Sequence, residues 1–586
     1  MAMLPDFETL PQLLSQRVQH TPTATAFFEK DPSGRWQATR WDEFDQAVQR
    51  LAGQLCAIGL RSGDRLALWM PNGVLWETIQ HAAYRVGAVV VGLDLNDPAD
   101  RIEEILRLCP PAVVFVDREE RLQKISPKAN QVFKTVITRR AEEPSTYDLG
   151  NSRRFCDELP EPAAVPPLST VDPQTLATII FTSGTTGRPK ALSYKHSQIA
   201  LAIQSIAPFF CDLPDQAHTA CWLPLANPFQ RMINYCAMAM NWQAFMVPAP
   251  ATIMAQVAQI APHLFAAVPR FYEKLWDGIR QKMDGLPPRT RALSHWALNI
   301  ARQYHREAMM EAKPSWPLRL KQFVAERLVL AKIRAVMGPN LRYLLSGSAA
   351  MPKHLLEAFG ALGWTLLEAY GISENIVPMA MNAPGAIKPG SVGRPLAPNT
   401  VRIAEDGEIL VKGAGVAEDA ALTPDGFLNT GDTGRLDADG FLWLTGRKCD
   451  MFKLSTGRKI IPSAIEEAIV QIESVEHCIA IGGNRKFVTA LLNIPADRWE
   501  ALCRQHNGSD GATGYLRNEI QRQCHHLPDY CRPVEFAVAH ETFTPQAGEL
   551  TANLKLRRAF VLQKYAAIIE TLYQKMETNT SAHLGL

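Results

Sequence analysis

The chain has 586 residues, of which 61 are lysine or arginine and 59 are aspartate or glutamate, so its formal net charge is +2. A chain with so small a net charge lacks the excess of basic residues that is typical of nucleic-acid-binding proteins, and no nucleic acid partner is predicted. Hydrophobic residues make up 47% and charged residues 20% of the chain, a globular composition that excludes disordered and collagen-like proteins. The 11 cysteines stand singly, without paired zinc-site spacing, which predicts a reduced, cytoplasmic protein.

The first third alternates amphipathic segments with short β-branched runs. LPQLLSQRVQ and FDQAVQRLAGQLCAIGL have helical spacing, whereas RLALWM, AVVVGLDL and AVVFVD are typical of buried strands. Strands that alternate with helices predict a parallel sheet covered on both faces. A Pro- and charge-rich stretch over residues 133–171 is interpreted as a surface connection, and the periodic pattern resumes at Leu176.

The pattern of predicted helices and strands changes twice in the second half of the chain. An α/β block runs to about Gly393 and is followed by a strand-rich block with turn signals, EDGEILVKG, TPDGF and DADGFLWLTGR. After Gly446 a smaller α/β unit begins, with SAIEEAIVQI helical and CIAIGG and FVTALLNI as strands. The pattern predicts a domain boundary between residues 446 and 447.

Two segments bear on membrane contact. The uncharged stretch from Met232 to Pro269 contains too many prolines and amides for a spanning helix, and we expect buried core or a pocket wall. The basic run PLRLKQFVAERLVLAKIRAVMG fits either a membrane-surface helix or, with more weight, a solvated helical face over the core. At most peripheral membrane contact is predicted.

The most informative segment is TIIFTSGTTGRPKALSY. An apolar strand leads into a loop of small hydroxyl and glycine residues, Thr182 to Gly187. Such a loop can offer backbone N–H groups and hydroxyls to phosphate oxygens, with Lys190 as a point charge. A Walker loop would need Ser or Thr after the lysine and a helix there, but ALSY predicts a strand. A flexible turn is the alternative for a loop of this composition.

The nine-residue string TSGTTGRPK resembles the phosphate-loop signature of the adenylate-forming superfamily, which includes acyl-CoA synthetases, adenylation domains and beetle luciferases. EAYGISEN is similar to the YGxTE motif of this superfamily, LNTGDTGRLDADGFLWLTGR to its TGD and GR motifs, and LTANLKLRR to its C-terminal lysine motif. These segments occur in the family's order. The resemblance extends from about Leu10 to about Tyr565.

The resemblance implies a nucleotide site. Tyr370 would stack on adenine, Ser373 would contact phosphate and Glu374 would hold Mg²⁺, for which an oxygen ligand is suited. Without the companion motifs, the same string would be an ordinary turn with an exposed glutamate. The remaining ATP-binding residues that it implies are Thr182, Ser183, Gly184, Thr185, Thr186, Gly187, Lys190, Gly347, Ser348, Ala349 and Gly371.

Three further residues complete this site by resemblance. Asp432 would accept hydrogen bonds from the ribose hydroxyls, and Arg447 would support it. Lys555 would be the mobile lysine that stabilises charge developing on the carboxylate and α-phosphate during adenylation. Taken alone, Asp432 is a solvated turn residue and Lys555 belongs to a solvated basic face with its neighbouring arginines.

Two strings indicate which branch of the superfamily this chain is similar to. WLPLANPFQR and FAAVPRFYEKLWDGI resemble paired motifs of long-chain fatty acyl-CoA synthetases, which makes Asn227 and Phe229 candidates for the acyl pocket. The chain departs from the family pattern at Asn227, where the family has histidine, and at Cys449, the hinge position, which is commonly Lys or Asp. The segment after Gly413 is also short.

The expected fold is α/β, with a large N-terminal multi-sheet domain (1–446) and a small mobile C-terminal α/β domain (447–586). The expected activity is that of a fatty acid-CoA ligase, which uses Mg²⁺, ATP and coenzyme A to form an acyl-adenylate and then a thioester. Two alternatives stay open. One is a fatty acyl-AMP ligase that loads an acyl carrier protein, and the other is a degenerate regulatory homologue that binds nucleotide or acyl-adenylate.

Overall fold

The structure is a computed structural model that describes residues 6–126, 134–138, 152–155, 158–183, 189–309, 314–349, 351–544, 547–550 and 556–574. The chain divides into two compact units. The first comprises Met1–Val401, Val411–Leu428 and Gly440–Leu442, and the second comprises Arg402–Leu410, Asn429–Asp439 and Trp443–Leu586. The boundary expected between residues 446 and 447 stays a prediction.

Helices and strands alternate along the described part of the first unit. Its helices are α1 (Leu10–His20), α2 (Trp41–Ala57), α3 (Val74–Val86), α4 (Ala99–Leu108), α5 (His196–Ile206), α6 (Pro228–Met240), α7 (Ile253–Ile260), α8 (Pro269–Asp284), α9 (Pro288–Met309), α10 (Trp316–Ala325), α11 (Ala331–Arg334) and α12 (Lys353–Ala361). Its strands are β1 (Thr25–Lys30), β2 (Trp36–Arg40), β3 (Arg65–Trp69), β4 (Val89–Gly92), β5 (Val113–Val116), β6 (Thr135–Thr138), β7 (Ser152–Phe155), β8 (Leu176–Ser183), β9 (Pro189–Lys195), β10 (His218–Cys221), β11 (Gln243–Met246), β12 (Leu264–Ala267), β13 (Tyr343–Ser346), β14 (Thr365–Tyr370), β15 (Ala380–Met381) and β16 (Arg394–Pro395).

Two large sheets form the framework of the first unit. The seven-stranded sheet has the order β7-β6-β5-β3-β4-β8-β9, and the nine-stranded sheet has the order β16-β15-β14-β13-β12-β10-β11-β1-β2. Strands β3 to β6 pair in parallel, while β9 is antiparallel to β8. In the larger sheet, β10 to β14 are parallel. The predicted parallel sheet is therefore confirmed.

The strands bury both of their faces, which produces a layered core. In β3, Leu66 and Leu68 belong to the central apolar cluster, while Ala67 and Trp69 point into a second cluster with α4. The central cluster also contains residues of both sheets and of α2, α3, α5 and α6. A third cluster joins the other face of the nine-stranded sheet to α7, α8, α9 and α12. Because successive side chains alternate in direction, a continuous apolar run can serve two cores.

Most of the predicted elements appear within one to three residues of their expected bounds, including α1, β3, β4, β5 and the start of β8 at Leu176. The interpretation of residues 133–171 as a plain connection is wrong, because β6 and β7 extend the seven-stranded sheet from this stretch. Both strands have only four residues, and Ser-Arg-Arg-Phe in β7 lacks the apolar pattern of a buried strand. An edge position explains that composition.

The stretch from Met232 to Pro269 contains α6, whose residues from Gln230 to Met240 are all buried, and the buried strand β12. The expectation of buried core is therefore confirmed for these two elements. None of the helices described here has both the length and the apolarity needed to cross a bilayer.

A buried polar cluster lies in the central layer between α3 and α6. The carboxylate of Glu77 accepts hydrogen bonds from Asn234 Nδ2 at 2.6 Å and Gln80 Nε2 at 2.7 Å. Arg231, which is also buried, donates to Thr178 Oγ1 of β8 at 2.9 Å. Burial raises the pKa of Glu77 from 4.5 to about 7, even though Asn234, Gln80 and the Arg231 charge favour its ionised form.

Glu77 should make stability depend on pH. The pKa of Glu77 is higher in the folded protein, so the folded state binds the Glu77 proton more tightly than the unfolded state does. The stabilisation that this binding gives is fully present below about pH 4.5 and is lost as pH rises to about 7. Glutamine does not titrate, so only the wild type should lose stability over this range. We expect the free energy of unfolding of Glu77→Gln, relative to that of wild type, to rise by about 3 kcal/mol between these two pH values. Urea denaturation at several pH values measures the difference. A difference that does not vary with pH would contradict the expectation.

Strands β17 (Thr400–Ile403), β18 (Glu408–Lys412), β19 (Leu428–Leu436) and β20 (Leu442–Arg447) form a four-stranded sheet in chain order. The predicted strand-rich block is confirmed. Thr423 Oγ1 accepts a hydrogen bond from the backbone N–H of Phe427 at 2.9 Å, which closes the turn expected at TPDGF.

The remainder of the second unit is a small α/β fold. Its strands are β21 (Phe452–Lys453), β22 (Lys459–Ile460), β23 (His477–Ile481), β24 (Thr489–Asn493) and β25 (Glu535–Ala539). Its described helices are α13 (Pro462–Val470), α14 (Ala496–Gln505), α15 (Ser509–Cys524) and α16 (Arg558–Lys564). Strands β23, β24 and β25 form one sheet, whose apolar residues pack with those of α13, α14 and α15. The smaller α/β unit predicted after Gly446 is confirmed as a fold.

Candidate functional site

Parallel strands of the nine-stranded sheet end at one edge, where predicted nucleotide residues follow them. Gly347 and Ser348 follow β13, and Tyr370 is the last residue of β14. The register pairs Ser346 with Glu368, so these two chain ends are neighbours. In open α/β sheets, ligands bind outside the carboxyl ends of the strands. The structure therefore brings two of the predicted nucleotide segments together at the edge where such a ligand would bind.

The turn after β13 is held by a buried carboxylate. Glu368 Oε1 accepts a hydrogen bond from the Met351 backbone N–H at 3.2 Å. Ser348 has a φ of 72°, and both Ser348 and Ala349 are exposed. Glu368 is not among the residues predicted from the sequence, although it stands only two residues before Tyr370. Its role is to hold backbone, for which the sequence carries no specific signal.

The segment from Tyr370 to Glu374 is tied to its surroundings through backbone atoms. The Tyr370 carbonyl accepts a hydrogen bond from Met379 N at 2.7 Å, and the Glu374 carbonyl accepts one from Ala417 N at 2.9 Å. The Ser373 carbonyl accepts a hydrogen bond from the Tyr194 hydroxyl. These contacts leave the side chains of Ser373 and Glu374 half-buried.

Tyr194 lies on β9, the strand that follows the predicted phosphate loop. Burial raises the pKa of Tyr194 well above its ordinary value, and the nearby Glu374 carboxylate adds to this shift. The phenol therefore stays protonated and can donate its hydrogen bond to Ser373. Sequence analysis missed Tyr194, because nothing in ALSY distinguishes a tyrosine that packs from one that bridges two motifs.

The predicted phosphate loop joins the two strands of a hairpin. Strands β8 and β9 pair antiparallel, with Thr182 opposite Lys190 and Ser183 opposite Pro189. The expected strand after Lys190 is confirmed, which excludes the helix that a Walker loop requires. Four residues named for this loop lie outside the described residues, namely Gly184, Thr185, Thr186 and Gly187.

Residues 414–419 connect the hairpin to the Tyr370 segment. Gln198 of α5 donates through Nε2 to the Val416 carbonyl at 2.7 Å, and Asp419 accepts from Ser193 N at 3.1 Å. Lys195 forms an ion pair with Glu418 at 2.9 Å. This segment therefore contacts β9, α5 and Glu374 at once.

The two candidate acyl-pocket residues stand at the start of α6. Phe229 Cζ lies 3.2 Å from the position that a Cβ on Gly347 would take, so its ring packs against the turn after β13. Asn227 Nδ2 donates to Asp94 Oδ2 at 3.4 Å. A Cβ on Gly92, which lies two residues before Asp94, would stand 2.8 Å from Ala226 Cα. The end of β4 and the turn that precedes α6 thus approach each other closely beside this position.

In the second unit, the structure brings Asp432 and Arg447 together. Asp432 is buried, and its Oδ1 lies 3.1 Å from Arg447 Nε. The turn before Asp432 is held by the buried carboxylate of Glu408, which accepts from Gly431 N at 3.0 Å. Glu408 also contacts Lys448 Nζ at 2.6 Å. A guanidinium-carboxylate pair of this kind fixes the orientation of the carboxylate.

Cys449, the expected hinge residue, is exposed in the short 3₁₀ turn Lys448–Asp450 that follows β20. Lys555 lies outside the described residues. The chain on either side of its segment is anchored, because Arg557 N donates to the Glu549 carbonyl at 2.7 Å and Lys564 Nζ contacts the Glu549 carboxylate at 2.6 Å.

The donor set around Glu374 fits a magnesium ion that arrives with a nucleotide. Across the described residues there is no group of three or more His, Cys, Asp or Glu side chains that could hold a metal. Mg²⁺ is usually bound by one or two carboxylates together with substrate phosphates, and it keeps several waters. A single half-buried carboxylate is therefore compatible with Mg·ATP as substrate, and it is not a complete resident metal site.

Comparison with known proteins places this geometry in a family. The profile of the AMP-binding enzyme family matches residues 14–419, and that of the AMP-binding enzyme C-terminal domain matches residues 449–577. The long-chain-fatty-acid-CoA ligase FadD15 of Mycobacterium bovis is 28% identical over 567 residues, which cover 92% of this chain and 93% of that protein.

Two solved structures share the fold. The adenylation domain of a carboxylate reductase from Mycobacterium chelonae has a TM-score of 0.76 at 19% identity, over 97% of this chain and 92% of that chain. The O-succinylbenzoate coenzyme A synthetase of Bacillus subtilis, in complex with ATP and magnesium, has a TM-score of 0.66 at 20% identity, over 93% of this chain and 98% of that chain. Since the family profile matches more than half of the sequence, this chain belongs to the AMP-binding enzyme family.

Proposed function

We propose that this protein is an ATP-dependent fatty acid-CoA ligase. The fatty acid carboxylate attacks the α-phosphorus of ATP, the bond to the β-phosphate oxygen breaks, and pyrophosphate leaves. The thiol of coenzyme A then attacks the carbonyl carbon of the acyl-adenylate, loses its proton, and expels AMP. The acyl-adenylate makes the carboxylate a competent acyl donor, which the free acid is not.

The observation that carries this proposal is the contact between Phe229 and Gly347. Phe229 belongs to the string similar to the long-chain synthetase motif, and Gly347 to the string that borders adenine in the superfamily. An acid held against Phe229 would therefore have its carboxylate beside the nucleotide. The similarity to FadD15 over 92% of the chain supports the same substrate class.

The roles proposed for the site residues rest on the resemblance to the adenylate-forming superfamily. Thr182 to Gly187 and Lys190 bind the phosphates, Tyr370 and the turn Gly347–Ala349 bind adenine, and Ser373 contacts phosphate. Asp432 binds the ribose, and Arg447 orients it. Glu374 holds the Mg²⁺ that accompanies ATP and neutralises phosphate charge. Lys555 acts in adenylation, and Cys449 is the hinge of a C-terminal domain that begins at residue 447.

A panel assay of AMP and pyrophosphate release tests the function. Saturated acids of increasing length and aryl acids are incubated with Mg·ATP, with and without coenzyme A. Turnover that needs both a long-chain acid and coenzyme A is the expected result. Acid-dependent pyrophosphate release with an adenylate that coenzyme A does not consume would instead indicate a carrier protein as acceptor. No release with any acid would favour the degenerate homologue.

Glu374→Gln is expected to raise the Mg²⁺ concentration for half-maximal adenylation by about 10-fold, because the amide keeps the shape of the side chain but loses the charge that attracts the ion. Titration of Mg²⁺ at fixed ATP measures this shift. Glu418→Gln is the control, since Glu418 stands in the same region but pairs with Lys195. Equal titration curves for wild type and Glu374→Gln would refute the assignment.

A further inference from the structure

Helix α10 carries apolar residues on two opposite sides. Leu318 and Ala325 are buried and belong to the cluster that covers the nine-stranded sheet. At 3.6 residues per turn, Trp316, Leu320 and Phe323 lie on the opposite side of the helix. The basic run around this helix was expected to be a solvated face over the core, with a membrane-surface helix as the alternative. A solvated face does not account for a second apolar side.

The large apolar side chains on the outward side of α10 are unusually exposed. Trp316 is 73%, Phe323 57% and Leu320 50% exposed. Leu328, in the π-helical turn that follows, is 47% exposed. Isolated exposed apolar residues are ordinary, but an aromatic-rich group on one side of a helix marks an interaction site. We name Trp316, Leu320, Phe323 and Leu328 the α10 outer face.

The charges around the α10 outer face have one dominant sign. Residues 314–334 contain five basic side chains and one acidic side chain, in a chain whose total charge is almost balanced. The single acid, Glu326, is paired with Arg334. Arg327 lies over the Phe323 ring at 5.7 Å. The exposed basic residues of this stretch are Arg319, Lys321, Arg327 and Lys332.

We propose that the α10 outer face binds the interface of an anionic lipid bilayer. Aromatic and leucine side chains would enter the boundary between headgroups and acyl chains, while the flanking lysines and arginines meet lipid phosphates. Long basic side chains can extend their charge to the headgroups while their stems stay apolar. The proposal rests on exposure and charge alone and does not depend on the proposed ligase activity.

A second copy of the chain is the less suitable occupant. A symmetric contact through the α10 outer face would bring the same basic residues of two copies together, and like charges across an interface are unfavourable. An anionic bilayer supplies both the apolar phase and the opposite charge. Because the outer residues are exposed, polar substitutions there should leave the fold intact.

Vesicle flotation of the full-length protein tests the proposal. Wild type is compared with the triple variant W316S/L320S/F323S and with the charge variant R319Q/K321Q/R327Q/K332Q. The control is L422S, which changes a leucine that is 54% exposed elsewhere on the first unit. Vesicles are pure phosphatidylcholine or contain about one third phosphatidylglycerol, at low and high salt.

We expect wild type and L422S to float with the anionic vesicles at low salt. The triple variant should lose about 10-fold or more of the bound fraction, and the charge variant should lose the preference for phosphatidylglycerol. Failure of wild type to float, or equal flotation of the triple variant, would overturn the proposal. A wild-type dimer that the triple variant converts to a monomer, measured by light scattering, would also overturn it in favour of a second copy.

Discussion

Replacing Lys555 with alanine is expected to lower the rate of acyl-adenylate formation about 10²–10³-fold, as the loss of a preorganised electrostatic group commonly does. An anionic carboxylate must approach an anionic α-phosphate in this step, and an ammonium group beside both offsets their repulsion. Thioester formation from supplied acyl-adenylate should stay near wild type, because that step is not assigned to Lys555. Acid-dependent exchange of pyrophosphate into ATP measures the first step, and thioester formation measured by chromatography reports the second.

The control for this variant is Arg557→Ala. Arg557 belongs to the same basic run, but it is exposed and its Nη1 donates to the Gly548 carbonyl at 3.3 Å. It should support pyrophosphate exchange at nearly the wild-type rate. If Lys555→Ala slowed both half-reactions equally, the assigned role in adenylation would be wrong.

Gly393→Ala is expected to lower the free energy of unfolding by about 4 kcal/mol or more, which is exceptional for one methyl group. Gly393 has a φ of +88°, and a Cβ there would stand 1.9 Å from the Met381 carbonyl carbon and 2.1 Å from Asn382 N. These are backbone atoms beside β15, so neither can move aside without disturbing the pairing of β15 with β14 and β16.

Gly385→Ala separates this clash from the cost of the backbone conformation. Gly385 has a φ of +78° in the same unit, but a Cβ there would meet no atom within 4 Å. Gly385→Ala should lower the free energy of unfolding by about 1 kcal/mol, which is the penalty for a left-handed backbone conformation at a residue with a side chain. Urea denaturation compares the two variants with wild type. Similar losses for both would show that the space around Gly393 is not the cause.

Helices and strands could be predicted from the sequence where burial required a regular pattern of apolar residues. Strands β3, β4 and β5 consist almost entirely of apolar residues because both faces are covered, and such runs have few alternatives. The order of strands in the sheets was not predictable, because β8 pairs with β4 through residues about 88 positions apart. β7 escaped prediction because a short edge strand needs no apolar face, and β6 escaped because its four residues are too few to show a pattern.

The candidate site shows the same limit. Tyr370, Asp432 and Lys190 were predicted from motif strings, in which several residue types stand together, and their roles stay predictions. Tyr194 and Glu368 were not found, because each acts on backbone atoms. The Tyr194 hydroxyl reaches a carbonyl 179 residues away. Every residue has a backbone carbonyl, so a hydrogen bond to one does not require a particular residue type at that position. Only the side chain that donates the hydrogen bond could leave a signal in the sequence.

The approach of Gly92 to Ala226 limits how the substrate range of this protein can be altered. Any side chain at residue 92 would meet the Ala226 backbone, with Cβ only 2.8 Å from Cα. The end of β4 and the turn before α6 therefore leave no free space between them at this point, so lengthening either segment would not make room for a bulkier acid. Redesign for other carboxylic acids should begin with Phe229 and Asn227, the proposed acyl-pocket residues, because their side chains can be shortened or extended while the backbones stay in contact.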